Sequence, residues 1–119
     1  MVGTSTEFST VLELCQDRHR RIVLAALAGE ERSLTVRDLE HTIVKYNHHA
    51  PPEAVSEDES TRIRISLHHV HLPKLADLSL VDYDRERGLV EPTSRFDRLQ
   101  PQLSAIIDAD PGLDAPLVL

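Results

Sequence analysis

The stretch that decides the fold covers residues 60–91 and reads STRIRISLHHVHLPKLADLSLVDYDRERGLVE. Its beginning is ambiguous, because apolar and polar residues alternate from Ile63 to Leu67, as they would in a half-buried strand. Length favours a helix, since Val70 and Leu78 continue the apolar pattern at helical spacing far beyond the usual extent of a strand. A long helix is therefore predicted over the first two thirds of this stretch. It is called the hairpin helix below, because a hairpin follows it.

Ser60 is the expected N-cap of this helix, and Pro73 interrupts it. A proline inside a helix removes a backbone donor and crowds the carbonyl four residues back. We expect a kink at Pro73, or a new helix with Pro73 in its first turn. After Leu80, two short alternating runs flank the charged tip DRERG (84–88), which predicts a β-hairpin closed by Pro92.

Three helices are predicted on the N-terminal side of this stretch. The first covers about residues 5–15. The second is capped by Asp17 and ends at Gly29, and the first two could also merge into one bent helix. Leu34 and Thr35 open the third, whose apolar residues follow a clear amphipathic pattern.

Two further segments flank the hairpin helix and the hairpin. Residues 50–59 contain two prolines and four acidic residues and are expected to form an exposed loop. After the hairpin, apolar residues from Phe96 to Ile107 follow helical spacing, so a last helix is predicted with Ser94 as its cap.

Helices followed by a two-stranded hairpin are the elements of a winged helix-turn-helix, here with an extra helix at each end. The predicted fold class is mainly α with a small β-hairpin. We expect this domain to span residues 7–93, after a disordered N-terminus (1–6). A C-terminal helix (94–109) and a loose tail (110–119) follow. The apolar side of the terminal helix must pack against another surface, and two-fold pairing of two copies buries it on both chains. The protein is therefore predicted to form a homodimer through this helix.

The composition of the chain indicates the cellular compartment in which it works. Cys15 is the one cysteine of the chain, so no intrachain disulfide can form; it lies on an apolar helical face and is expected in the core. The N-terminal segment does not follow the pattern of a signal peptide, and no window approaches the roughly 20 apolar residues of a membrane span. A cytoplasmic protein without membrane contact is expected.

The charge distribution matters more than the total. The net charge of −7 is unfavourable for binding phosphates. Residues 60–98, however, carry seven basic and six acidic side chains, so the acidic excess lies outside the hairpin helix and the hairpin.

Residues 66–84 read SLHHVHLPKLADLSLVDYD and resemble SLHxxHLPKLxDxGLVxYD, the signature of an uncharacterised haloarchaeal domain family. The resemblance covers roughly residues 9–93 and includes the arginine-rich helix start at 17–21. The usage of eleven arginines against two lysines is also typical of extreme halophiles. More distantly, the end of the hairpin helix is similar to arsenic-repressor-like winged helices, although Ser79 stands where those proteins usually carry glycine. The resemblance implies a regulator.

An α-helix fits the major groove of DNA and reads base edges with polar side chains. Three polar residues of the hairpin helix share the face opposite its apolar residues, a lysine follows, and two arginines stand at the hairpin tip. The residues predicted to contact DNA are Arg62, Ser66, His69, Lys74, Arg85 and Arg87. We therefore expect a transcriptional regulator that binds double-stranded DNA as a homodimer. The alternative is a protein-interaction module whose acidic surface docks a basic partner.

Histidines suggest a weaker variant, a metal-responsive regulator. His68 and His71 are three residues apart, and His48 and His49 precede the proline-rich loop. A complete site needs three or four ligands, so the favoured interpretation makes His71 a hydrogen-bonded core residue, and neither a metal nor another cofactor is predicted.

The basic cluster at residues 18–21 allows two interpretations. It either contacts phosphates or pairs with acidic residues such as Glu13 or Asp38, and structural pairing is favoured. Motifs of nucleophilic or phosphate-binding enzymes are not found in the sequence, so neither enzymatic activity nor a small-molecule substrate is predicted.

Overall fold

The computed structural model describes residues 2–30, 33–47, 55–111 and 113. Their helices and strands are α1 (Val2–Leu14), α2 (Arg18–Glu30), β1 (Leu34–Thr35), α3 (Val36–Asn47), α4 (57–77), β2 (Val81–Asp84), β3 (Leu89–Pro92) and α5 (Ser94–Asp108). Helix α1 begins at Val2, earlier than the helix start near residue 5 that was predicted.

The sheet is larger than the predicted hairpin, because β1 adds a third strand. All three strands are antiparallel in the order β1-β3-β2, with Leu34 opposite Val90. Leu34 and Thr35 therefore do not open α3 as predicted. Thr35 instead caps α3: its hydroxyl accepts from the Asp38 N–H, and the Asp38 carboxylate accepts from the Thr35 N–H, both at 3.0 Å.

The order of α2, β1, α3, α4 and the β2–β3 hairpin is that of a winged helix-turn-helix, with α1 and α5 added at its ends. The predicted fold class, mainly α with a small β-hairpin, is confirmed. Among the described residues, no helix combines the length and the apolar character needed to cross a membrane.

Helix α4 has three parts: an α-helix (Glu57–Ser66), a π-helical turn (Leu67–His71) and a short α-helix (Leu72–Asp77). Pro73 lies in the first turn of the last part, as one of the two expected arrangements requires. Pro73 has no N–H to donate, and its ring would crowd the carbonyl four residues back in a regular α-helix. A wider turn before Pro73 relieves this crowding.

The caps of α4 and α5 differ from those predicted. Ser56 caps α4, because its hydroxyl accepts from the Glu59 N–H at 3.2 Å, so Ser60 lies inside the helix and the predicted loop is shorter. Thr93 caps α5 by accepting from the Phe96 N–H at 3.3 Å, in place of Ser94. In both cases a hydroxyl residue stands earlier in the chain and outside the helical backbone.

The apolar stripe of α5 is covered by its own chain. Phe96 is 1% exposed and Leu103 is fully buried, since α5 packs on α1, α2 and β3. At the start of the predicted tail, Leu113 is buried and Asp110 accepts from Arg21 at 3.0 Å, whereas residues 112 and 114–119 lie outside the described residues. A second copy is therefore not needed to cover α5, and this need was the reason for predicting a dimerisation helix.

The arginines at the start of α2 have structural partners. Arg20 donates to the Leu14 carbonyl at 2.9 Å and Arg21 to the Cys15 carbonyl at 2.6 Å, at the end of α1. Arg18 donates to the Tyr46 carbonyl at 3.3 Å. These arginines satisfy backbone carbonyls near helix ends, and Arg21 also pairs with the Asp110 carboxylate at 3.0 Å. Pairing within the protein agrees with the favoured structural interpretation, although the acid is Asp110 and not Glu13 or Asp38.

Ser79, which follows α4, has a φ of 61° in the left-handed region that favours glycine. We expect Ser79→Gly to raise the free energy of unfolding by about 0.5–1 kcal/mol. Relief of about 1–2 kcal/mol of backbone strain is partly offset by the greater freedom of glycine in the unfolded chain. Urea unfolding compared with Ser94→Gly, a substitution inside α5, provides the measurement. A loss of stability in Ser79→Gly would show that the residue is not strained.

Candidate nucleic-acid interface

The outer side of α4 presents three of the predicted DNA-contacting residues. The Arg62 side chain is 78% exposed, His69 is exposed, and Ser66 is half-buried between them. Ile63 and Leu67 lie on the opposite side and are buried in the core. The predicted division of α4 into a polar and an apolar face is therefore present.

Two contacts attach the hairpin to this face. The Arg85 guanidinium lies 3.3 Å from Nδ1 of His69, and the Tyr83 hydroxyl is hydrogen-bonded to Nδ1 of His68. Since a guanidinium only donates, the first contact requires an unprotonated His69 nitrogen. Desolvation lowers the pKa of His68 and raises that of Tyr83, so this pair is neutral at pH 7. Helix α4 and the hairpin thus form one connected surface.

Two predicted residues lie apart from this contact. The Lys74 ammonium forms an ion pair with Glu13 of α1 at 3.1 Å, across the groove that His69 also borders. Arg87 stands exposed at the hairpin tip, where its backbone N–H donates to Asp84 at 3.1 Å. The structure therefore brings together Arg62, Ser66, His69 and Arg85, with Arg87 at the edge.

The sequence analysis missed a basic stripe on α3. Arg37, His41 and Lys45 follow at four-residue spacing, so they share one side of α3; Arg37 and Lys45 are exposed and His41 is half-buried. Arg37 and His41 line the groove between α3 and α4 together with Arg64. The four-residue spacing could have predicted this stripe, but only the apolar residues of α3, which lie on its other face, were used to define the helix.

Acidic residues limit the positive charge of this surface. Glu57, Asp58 and Glu59 form the first turn of α4, and Glu59 lies 3.8 Å from the Arg62 guanidinium. Arg64 donates to the buried Glu40 carboxylate at 3.0 Å. In the described part of the chain, Arg85 and Arg87 form no ion pair with an acid, so the hairpin holds two cations that are available to a ligand.

His71 is a core residue, as the favoured interpretation requires, but its hydrogen bonding is incomplete. Its ring is 5% exposed, Nε2 lies 3.9 Å from Asp17, and Nδ1 has no hydrogen-bond partner. Over the described residues, no group of three or more potential ligands converges on a metal position. His48 and His49, which the metal-responsive variant invoked, lie outside those residues.

Stability is expected to fall as the pH falls below about 6.5. Desolvation lowers the pKa of His71, with Asp17 opposing the shift, so between the folded pKa and 6.5 the unfolded chain binds more protons than the folded one. The contribution is fully present above 6.5 and is lost as the pH falls through the folded pKa. His71→Leu should show a shallower loss in urea unfolding between about pH 7.5 and 5.5. An equally steep loss in that variant would assign the pH dependence elsewhere.

Comparison with known proteins gives one positive result. A protein-family model matches residues 12–91, from the last turn of α1 to the end of the hairpin, which is more than half of the chain. No curated protein and no solved structure matches significantly. The matched segment includes α4, the π-helical turn and the hairpin, so the candidate interface lies inside the family's shared domain. The chain belongs to the family described as a domain of unknown function, DUF7344.

Proposed function

We propose that this protein is a transcriptional regulator that binds double-stranded DNA as a homodimer, through α4 and the hairpin. The observation that supports the proposal most is the contact between His69 and Arg85 at 3.3 Å. It joins the exposed polar face of α4 to the hairpin, so a helix and a wing are presented to the same ligand. Helix insertion in the major groove with a neighbouring wing on the backbone is a known mode of DNA recognition.

The dimensions of α4 fit this role. With its side chains, an α-helix such as Glu57–Ser66 is about 10–12 Å in diameter. B-DNA has a major groove about 12 Å wide that admits a helix. Arg62 and His69 then face base edges or phosphates, while Arg37 at the start of α3 lies where the first helix of the motif crosses the backbone.

Charge sets the expected character of binding. Because Arg64 already pairs with the buried Glu40 carboxylate at 3.0 Å, its binding to phosphate would exchange one ion pair for another and gain little net attraction. Affinity is therefore expected to depend on few free cations and to fall only gently with salt, by about 0.9 in slope for each phosphate contact.

Fluorescence anisotropy with the full chain and random-sequence duplexes tests the proposal. We expect binding at low salt, with a linear fall of the logarithm of the affinity against the logarithm of the salt concentration. Duplexes enriched from a random library should then bind more tightly than the starting pool. Absence of binding to any duplex at low salt would contradict the proposal.

The dimer requires a surface other than the covered face of α5. Phe8 and Leu12 of α1 are 46% and 44% exposed and lie one turn apart. Glu13, which contacts Lys74, lies on a different flank of α1, so pairing through Phe8 and Leu12 leaves α4 accessible. Light scattering should give twice the chain mass of 13.4 kDa, and Phe8→Glu with Leu12→Glu should give a monomer. A monomeric parent chain would remove the dimer from the proposal.

A protein-interaction module remains the second candidate, and one observation favours it. The three acids in the first turn of α4 stand beside the proposed interface and would repel phosphate. In that case a basic peptide would compete with DNA or replace it. Anisotropy with an arginine-rich peptide that binds more tightly than duplex DNA at equal salt would favour this candidate.

A further inference from the structure

Ile65 is a large apolar side chain at the centre of the exposed face of α4. It is 53% exposed, although its neighbours in sequence, Ile63 and Leu67, are buried. Thr61 precedes it by four residues, Arg62 by three, and both are exposed. Ile65 therefore interrupts an otherwise polar surface, and its own domain does not cover it.

Val70 is a second exposed apolar residue of α4, but it lies beside the proposed interface and not on it. It is 51% exposed, and it lines the groove between α1 and α4 together with Glu13 and Lys74, a groove that His69 also borders. Ile65 instead lies between Arg62 and the point where His69 meets Arg85, which are the polar groups of the proposed interface. The two residues form a matched pair, one on the interface and one beside it.

The major groove offers one apolar group on its base edges, the 5-methyl group of thymine, and aliphatic side chains contact it. A side chain of this kind, surrounded by hydrogen-bond donors, complements a pyrimidine methyl group flanked by polar base edges and phosphates. A protein partner would instead bring a larger apolar surface, and the residues around Ile65 are polar.

We propose that Ile65 is a specificity-determining residue that packs against a pyrimidine 5-methyl group in each half-site, supplied by thymine. This inference rests on the proposed function, because it requires α4 to lie in the major groove. It predicts that the preferred duplexes carry a thymine at one fixed position of each half-site and that the methyl group itself contributes to affinity.

Substitution of deoxyuridine for thymine tests the inference, because it removes only the methyl group. The full chain, a duplex enriched from a random library, and a set of duplexes with single symmetric thymine-to-deoxyuridine changes are needed. One position should weaken binding about fourfold for each half-site, the effect of burying one methyl group. Ile65→Ala should weaken binding to the thymine duplex and should be insensitive to deoxyuridine at that position. Val70→Ala should respond to deoxyuridine as the parent chain does.

A second arm separates the methyl group from other features of the base pair. Cytosine should bind weakly at the sensitive position, and 5-methylcytosine should recover part of the lost affinity for the parent chain but not for the Ile65→Ala variant. Binding that is unaffected by deoxyuridine at every position, or an Ile65→Ala chain that remains sensitive, would overturn the inference while leaving DNA binding intact. Failure of every duplex to bind would overturn both the inference and the proposed function.

Discussion

Phe96→Ala is expected to lower the free energy of unfolding by about 3–5 kcal/mol, the range for removal of a buried aromatic ring. Phe96 is 1% exposed and lies in the first turn of α5, where the helix meets the core. Arg98→Ala, at an exposed position one residue beyond Asp97, should change the free energy by less than about 0.5 kcal/mol. Urea unfolding followed by circular dichroism provides the measurement.

The concentration dependence of this loss distinguishes two roles for α5. If α5 packs within its own chain, the difference between Phe96→Ala and the parent should be the same at low and high protein concentration. A difference that grows with concentration would place Phe96 between two copies. Since a total stability of about 5–15 kcal/mol leaves little margin, Phe96→Leu offers a milder variant if Phe96→Ala does not fold.

The double substitution Arg62→Ala with Arg85→Ala should reduce affinity for duplex DNA by at least about a hundredfold. Each arginine is expected to make a charged hydrogen bond to DNA that contributes about 1.5 kcal/mol or more. The salt dependence should also become shallower, by about 0.9 in slope for each phosphate contact that is lost. Anisotropy titrations at several salt concentrations measure both quantities.

Stability should hardly change in this double variant. The Arg62 side chain is 78% exposed and approaches Glu59 no closer than 3.8 Å, an arrangement that contributes little to folding. Arg98→Ala removes the same charge from α5 and should leave the salt slope unchanged. If Arg98→Ala weakened binding as much as Arg62→Ala, overall charge and not the α4 surface would explain the attraction.

Local patterns in the sequence were sufficient to predict most of the helices and the hairpin. Asp17 caps α2 as predicted, because its carboxylate accepts from the Arg20 N–H at 3.1 Å, three residues away. The charged tip at 84–88 lies between β2 and β3 as predicted. Such features depend on residues within one turn of each other, which is why the sequence shows them.

Features that depend on distant residues could not be predicted. Strand β1 has only two residues, and it forms because Leu34 pairs with Val90, far along the chain. Lys74 turns toward α1 because of Glu13, 61 residues away. The apolar stripe of α5 was visible as a pattern, but a pattern shows that a face is covered and not which surface covers it.

The π-helical turn explains one error in the predicted core. Val70 was counted with the apolar face of α4, but it is 51% exposed, while His71 is buried. A wider turn holds more residues than an α-helical one, so residues after Leu67 shift around the helix axis and His71 takes the inward position. A period of 3.6 residues places both Val70 and His71 near the side of Leu67, so it could not decide which of the two is buried.

The proposed DNA binding requires that α4 and the hairpin form the surface that contacts DNA. The most direct measurement is an NMR titration of the ¹⁵N-labelled full chain with a duplex from the enriched pool. Amide shifts should change along the outer side of α4, around Ile65 and His69, and at Arg85 to Arg87 of the hairpin, and they should reverse when salt is added. Changes confined to α1 and α5, with α4 and the hairpin unaffected at saturation, would contradict the account.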